Sequence, residues 1–286
     1  MDASSAGHIE LVKVLLDKGA EVNVKNKFGD AALMYACSEG HTEVVKVLLG
    51  KGSEVNVKNR DGNTALIQAS WENHSEVAEL LIAHGANINS KDKYGYTPLM
   101  RACRANHIEV VELLLTHGAN VNAKDNDGNT ALIQASWANQ TEVAELLIAH
   151  GANVNSKDND GDTALMDASS AGHIEVVRLL LDKGADVNVK NRHDDTALAR
   201  SSRVNHTDVV ALLLAHGVDV NVENKYGNTS LIQASFGGHI EVVKVLLDKG
   251  ADVNVKNKYG DTALIFASRA NHTEVVKLLK AHGAKE

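Results

Sequence analysis

The chain has 286 residues, of which 29 are basic and 37 acidic, so its formal net charge at pH 7 is −8. This acidic balance argues against a general nucleic-acid binder, which needs a surplus of basic side chains. No apolar run approaches the roughly 20 residues of a membrane-spanning helix, and the N-terminus lacks the basic and apolar segments of a signal peptide. The sequence therefore predicts a cytoplasmic protein without nucleic-acid or membrane partners.

A 33-residue period runs through the whole sequence. Glycine recurs at this spacing in two registers. One register runs from Gly19 to Gly283 without a gap, and the other runs from Gly29 to Gly260 with a single interruption at Asp194. Self-similarity at this period indicates stacked supersecondary units that share one continuous core.

The unit at residues 59–91 shows the predicted elements in chain order. It begins with turn residues around a glycine. Thr64 is a good N-cap for a short apolar helix, and that helix ends near Asn73, because asparagine tolerates a left-handed cap. A second helix is predicted over residues 75–84, where apolar side chains recur at helical spacing, and Gly85 ends it.

This order of turn, helix, helix and return loop resembles the ankyrin repeat. The matching motifs are Gly-x-Thr-Pro-Leu at 95–99, Gly-His at 40–41 and Gly-Ala-Asp-Val-Asn at 184–188. The resemblance implies an all-α fold class, an ankyrin-repeat solenoid of helix-turn-helix units with β-turn loops. It also implies a protein–protein interaction function. The sequence contains no Gly-x-Ser-x-Gly, P-loop or zinc-spaced Cys/His motif, so we expect no enzyme activity. The family's Thr-Pro-Leu-His becomes Thr-Ala-Leu followed by Ile or Met in four of the eight complete units, and an apolar residue replaces the histidine in all eight. Apolar contact must therefore replace the hydrogen bonds of that histidine.

The period divides the chain into nine units that we interpret as one domain over residues 1–286. The first unit lacks its turn and the start of its first helix. We call positions that recur every 33 residues a column. The last helix carries Lys280 in a column that holds Leu or Ile in the other units, which predicts a C-terminal cap with an exposed end face. The predicted units are 1–25, 26–58, 59–91, 92–124, 125–157, 158–190, 191–223, 224–256 and 257–286.

Metal and cofactor sites are not predicted. Thirteen of the 14 histidines fall in two columns of the repeat, and one histidine per layer of roughly 10 Å cannot place two donors on one ion. The histidines are therefore predicted to be structural. Cys37 and Cys103 occupy the same column two repeats apart, too far for a disulfide, and are predicted free thiols. The acidic turns at 125–128 and 158–162 have glycine fourth, whereas an EF-hand loop needs it sixth.

Aromatic and arginine side chains are concentrated in a few columns. No aromatic residue falls in a predicted core column, and seven of eight arginines lie at the hairpin tips or on the exposed face of each unit's first helix, called here the inner-helix face. Aromatic residues and arginine are enriched at protein interfaces, whereas lysine is depleted. In the ankyrin family these columns correspond to the tips and the concave face, where targets usually bind. The predicted partner-binding residues are Trp71, Tyr94, Tyr96, Arg101, Arg104, Gln134, Trp137, Arg200, Arg203, Tyr226, Phe236 and Phe266.

Layers with glutamine and an aromatic residue flank layers with two arginines. We expect the glutamines to bond a partner's backbone, the aromatic rings to cover apolar side chains and the arginine pairs to bind carboxylate or phosphate. The predicted partner is a protein or linear peptide with acidic or phosphorylated groups between apolar anchors. Weak self-association through the truncated first unit is a further expectation.

Two simpler interpretations stay open. The aromatic rings could merely shield the thin inner helices from water. The chain could also be an engineered or consensus-like repeat scaffold without a natural ligand, since residues 65–71 and 131–137 are copies of one another.

Overall fold

A computed structural model describes residues 1–285 of the chain. This part of the chain contains eighteen α-helices and no β-strand; two isolated antiparallel bridges join Lys25 to Ala31 and Lys157 to Thr163. The fold class is the predicted one: all-α, built of helix-turn-helix units. The helices are α1 Asp2–Ser5, α2 Ile9–Asp17, α3 Ala32–Ser38, α4 Thr42–Gly50, α5 Ala65–Trp71, α6 Ser75–Ala83, α7 Pro98–Arg104, α8 Ile108–Thr116, α9 Ala131–Trp137, α10 Thr141–Ala149, α11 Ala164–Ala171, α12 Ile174–Asp182, α13 Ala197–Arg203, α14 Thr207–Ala215, α15 Ser230–Gly237, α16 Ile240–Asp248, α17 Ala263–Arg269 and α18 Thr273–Ala281.

The first helix of each complete unit begins and ends where the sequence predicts. The Thr64 hydroxyl accepts a hydrogen bond from the Ile67 amide at 3.3 Å, as an N-cap side chain does. The equivalent threonines of the six later units cap their helices in the same way. After α5, Asn73 has φ 62°, and after α11, Gly172 has φ 77°. These are the left-handed caps that the alternation of Asn and Gly predicts.

An Asx side chain closes each hairpin tip. Asn59 Oδ1 accepts from the amides of Asp61 at 3.0 Å and Asn63 at 2.9 Å, and the same pair of bonds recurs at the tips of the other complete units. Met34 and Ile67, in the column of the family's histidine, are buried. The Asx bonds, together with this apolar contact, replace what the histidine would supply.

The histidines have the structural role that the sequence predicts. His41 Nε2 donates to the Ser5 carbonyl at 2.9 Å, and six later histidines of that column make the same bond to the unit before them. His84, in the second column, binds the Leu80 carbonyl through Nδ1 at 2.8 Å. Among residues 1–285, no group of three or more His, Cys, Asp or Glu could hold a metal ion.

The chain forms two compact units. Unit 1 comprises residues 1–135 and 145–152, and unit 2 comprises residues 136–144 and those from 153 onward. In unit 1 the first helices α1, α3, α5 and α7 pack on one another in sequence, and α3, α5 and α7 each also pack on the helix that follows. In unit 2 the helices α11, α13, α15 and α17 do the same. The single-domain interpretation and the nine unit boundaries stay predictions.

Several features of the columns agree with their predicted environments. Cys37 and Cys103 are buried free thiols, and burial raises the pKa of both. Lys280 is exposed on α18, and its role in a C-terminal cap stays a prediction. On α2, Leu11 is 48% exposed, whereas its column counterpart Val44 is 1% exposed. Self-association through the first unit stays a prediction.

Candidate functional site

Unit 1 brings five of the predicted residues together. Trp71 ends α5, Arg101 and Arg104 lie on α7, and Tyr94 and Tyr96 flank the tip glycine before α7. The Arg101 Cζ atom lies 5.0 Å from the Trp71 ring centroid and 4.6 Å from that of Tyr96, within the range of cation–π attraction. We call these five residues the tryptophan–arginine cluster.

A buried carboxylate fixes this cluster. Arg101 Nε donates to Asp92 Oδ2 at 3.1 Å, and Nη2 binds the same oxygen. Asp92 Oδ1 accepts from the backbone amides of Tyr94 at 2.8 Å and Tyr96 at 2.9 Å. The Asp92 side chain is 1% exposed and that of Arg101 is 18% exposed. One carboxylate therefore links the helix, the tip turn and the arginine.

The outer part of the cluster is exposed. Arg104 Nη1 donates to the Tyr96 hydroxyl at 3.2 Å, and its Cζ lies 5.8 Å from the Tyr96 ring centroid. The Tyr94 and Tyr96 centroids are 6.4 Å apart, and Lys93 Nζ lies 4.9 Å from the Tyr94 ring. Tyr94 and Arg104 present an aromatic ring and a cation to solvent.

The glutamines bind the chain's own acids. Gln134 Nε2 donates to Asp125 Oδ2 at 3.0 Å, and Gln233 Nε2 donates to Asp195 Oδ1 at 3.2 Å. The amide nitrogens that we expected to bond a partner's backbone are therefore engaged within the protein. The Oε1 atoms of Gln134 and Gln233 are buried, and no residue from 1 to 285 forms a hydrogen bond with them.

Unit 2 brings Arg203, Tyr226, Phe236 and Phe266 to one cavity of about 470 Å³. The two phenylalanine rings meet edge to face, with centroids 5.7 Å apart and an interplanar angle of 89°. Tyr226 and Phe236 are exposed, and the buried Ile232 lies beneath them. We call this cavity the phenylalanine pocket. Its lining residues are His193, Asp195, Arg203, Asn224, Tyr226, Asn228, Ile232, Gln233, Phe236 and Phe266.

Arg200 is paired within unit 2. Its Nη1 binds Asp162 Oδ2, and its Nη2 lies 3.5 Å from Asp167 Oδ1. Burial raises the pKa of Asp167 to about 7; the Arg200 charge opposes this shift, and the carboxylates of Asp162 and Asp158 add to it. One guanidinium thus serves several carboxylates.

The expectation that both members of each arginine pair are available to a partner needs correction. Arg101 and Arg200 are ion-paired and mostly buried, because an acid reaches each of them from the tip columns. Asp92 lies nine residues before Arg101, so this spacing was a signal in the sequence that could have revealed the pairing. Arg104 and Arg203 are the exposed members.

Trp137 stands apart from the other predicted residues. It ends α9, and its ring is exposed. Its carbonyl accepts from His173 Nε2 at 2.9 Å. Trp137 is not among the lining residues of the phenylalanine pocket, so it belongs to neither group.

The sequence matches the family described as Ankyrin repeats (3 copies) over residues 1–92, 89–158, 125–191, 157–224 and 198–286. The chain belongs to the ankyrin-repeat family. Ankyrin repeats are generally protein–protein interaction modules and are typically non-enzymatic.

A stretch of 35 residues is 54% identical to a protein of Oryza sativa subsp. japonica described as Probable E3 ubiquitin-protein ligase XBOS33. The stretch covers 12% of this chain and 7% of that protein. In the described part of this ankyrin-repeat chain, no helix is both long and apolar enough to cross a membrane.

Proposed function

We propose that this ankyrin-repeat protein binds a protein, or an extended segment of one, through its hairpin tips and inner-helix face. The tryptophan–arginine cluster carries the proposal. Trp, Tyr and Arg are the residue types that dominate binding energy at interfaces. The Asp92 network holds Arg101 between two rings, so little side-chain freedom is lost when a partner binds.

The charges favour an acidic or phosphorylated partner segment. Arg104 in unit 1 and Arg203 in unit 2 are exposed and lie beside aromatic rings. Each places a guanidinium next to an apolar surface, and guanidinium binds carboxylate and phosphate in a bidentate manner. At either unit, an apolar anchor of a partner would cover the rings, and an acid beside that anchor would meet the arginine.

A scaffold without a natural ligand is the second candidate. The identical helices Ala65–Trp71 and Ala131–Trp137 favour it, because near-verbatim copying is common in consensus-like arrays. The two candidates differ in a measurable way, since a scaffold without a ligand has no partner to lose when the cluster is changed.

The test is affinity capture of cellular proteins on the immobilised chain, followed by titration of each recovered partner. Trp71→Ala and Arg104→Ala should each weaken binding by roughly 30-fold, as hot-spot truncation of ~2 kcal/mol does. The exposed Arg104→Ala should shift stability by only about 0.5 kcal/mol. Arg178→Ala on α12 is the matched control, because Arg178 lies away from the tips and the inner-helix face. Unchanged affinity in both cluster variants would refute the assignment.

A further inference from the structure

We infer that the phenylalanine pocket is a separate subsite for a linear peptide segment that carries a large apolar side chain beside an Asp or Glu. This inference rests on the proposed function and adds a second site with its own specificity. Residues of the same columns line a smaller cavity five repeats earlier, and the two cavities can be compared directly.

That earlier space is about 210 Å³ and lies in unit 1. Six of its lining residues, Ser38, Asn63, Ile67, Gln68, Trp71 and Arg101, occupy the columns of Arg203, Asn228, Ile232, Gln233, Phe236 and Phe266. In unit 1, Arg101 lies over the Trp71 ring and takes up much of the space. In unit 2, Phe266 replaces the arginine and contacts Phe236 by its edge, and a cavity of about 470 Å³ stays open.

The walls of the open pocket suit a large apolar side chain. Phe236, Phe266 and Tyr226 supply three rings, and Ile232 forms the buried base. A volume of this size falls within the range of ligand pockets, ~300–1,000 Å³. An aromatic or branched aliphatic anchor would bury its own surface and that of two exposed rings, which is the main source of affinity at such sites.

The charge of the pocket selects an acid. Arg203 is exposed, and its side chain has no ion pair or hydrogen bond among residues 1–285. By contrast, Arg200 and Arg269, which also lie on inner helices of unit 2, pair with acids of the tips. The pocket's own carboxylate, Asp195, is 8% exposed and accepts from Asn224 Nδ2 at 2.8 Å and from Gln233 Nε2.

Asp195 is thus buried and hydrogen-bonded, and the charged group that the lining exposes to solvent is the Arg203 guanidinium. An extended segment advances ~3.3 Å per residue, so an acid within one or two positions of the apolar anchor would reach the pocket rim.

The experiment selects displayed random 12-residue peptides on the full chain, with the peptides fused at their C-termini so that only side-chain carboxylates are offered. The expected consensus is a large apolar residue with Asp or Glu one or two positions away. Arg203→Ser places in this column the residue that Ser38 already supplies in unit 1, so the variant should fold. It should weaken the selected peptides at least tenfold, and Phe236→Ala should do the same. A selection repeated on Arg203→Glu should replace the acid of the consensus by Lys or Arg.

Three results are informative against the inference. Peptides whose affinity is unaffected by Arg203→Ser and Phe236→Ala would overturn it. Peptides that are lost with Trp71→Ala but not with Phe236→Ala would leave the proposed function in place and remove this subsite. Selected peptides that respond to none of these variants would count against both proposals.

Discussion

Replacing Arg101 by alanine should destabilise unit 1 by about 2–3 kcal/mol. Removing one member of a fully buried ion pair costs ~3–5 kcal/mol, because the remaining charge is left without its partner. Arg101 is 18% exposed, so water would reach part of the space that it vacates and lower this cost. Its two cation–π contacts add roughly 0.5–1 kcal/mol. Asp92 would keep its bonds to the amides of Tyr94 and Tyr96.

Glutamine is the matched substitution at this position. Gln134 occupies the column of Arg101 and donates to Asp125 at 3.0 Å. Arg101→Gln should therefore keep one hydrogen bond to Asp92 and cost about 1 kcal/mol. The double variant Asp92→Asn/Arg101→Gln reproduces the pair Asn59 and Gln68, which occupies these columns one repeat earlier. It should recover part of the stability that Arg101→Gln alone loses.

Urea unfolding measures the difference. Far-ultraviolet circular dichroism reports the helices, and Trp71 fluorescence in a Trp137→Phe background reports the cluster itself. The reasoning is refuted if the alanine and glutamine variants unfold at the same urea concentration, because Asp92 would then not require a donor. A double-mutant cycle between Asp92→Asn and Arg101→Ala should give a coupling of about 1–3 kcal/mol.

Two other positions carry predictions. Burial raises the pKa of Asp167 to about 7 despite the nearby Arg200, so the native state holds a proton that the unfolded chain releases above about pH 4. Relative to Asp167→Asn, wild-type stability should thus fall by up to roughly 1.4 kcal/mol per pH unit between pH 5 and 7; parallel unfolding profiles would contradict this. Asp194 has φ 58° where the other tips carry glycine, so Asp194→Gly should raise the free energy of unfolding by about 1 kcal/mol. The reverse change, Gly161→Asp, should lower it in the same urea titration, and equal stability of all three proteins would exclude strain at these tips.

Repetition explains why the fold could be predicted in detail. A column that holds Asn in several repeats and Gly in others, such as the one of Asn73 and Gly172, predicts a left-handed backbone conformation from the sequence alone. Lys280, in a column of leucines and isoleucines, indicates an exposed side chain in the same way. In each case equivalent positions of several repeats share one backbone conformation, so their residues can be compared, and local propensity and packing favour the same structure.

The partners of the long side chains could not be predicted in this way. Arg101 binds an acid nine residues earlier in its own repeat. Arg200, in the same column, binds Asp162, which lies 38 residues earlier in the preceding repeat. A column fixes the position of the Cα and Cβ atoms, but the rotamers of an arginine can reach several different acids. Which acid it takes depends on what the tips carry: the residue nine positions earlier is an acid for Arg101 but Asn191 for Arg200.

The same freedom lets the inner-helix face carry side chains that stabilise one repeat and side chains that stay exposed in another. From residue 59 onward, the backbone of each repeat is fixed by an Asx acceptor, a threonine cap and residues of positive φ, none of which lies on the inner-helix face. Face residues can therefore change without moving the chain, as Ser38 and Arg203 or Arg101 and Phe266 do in equivalent columns. Where an acid lies within reach, as for Arg101, the cation joins the framework and holds aromatic rings in place. Where the acid is already bound by side-chain amides, as Asp195 is by those of Asn224 and Gln233, the nearby cation stays exposed, and we expect it to bind a partner.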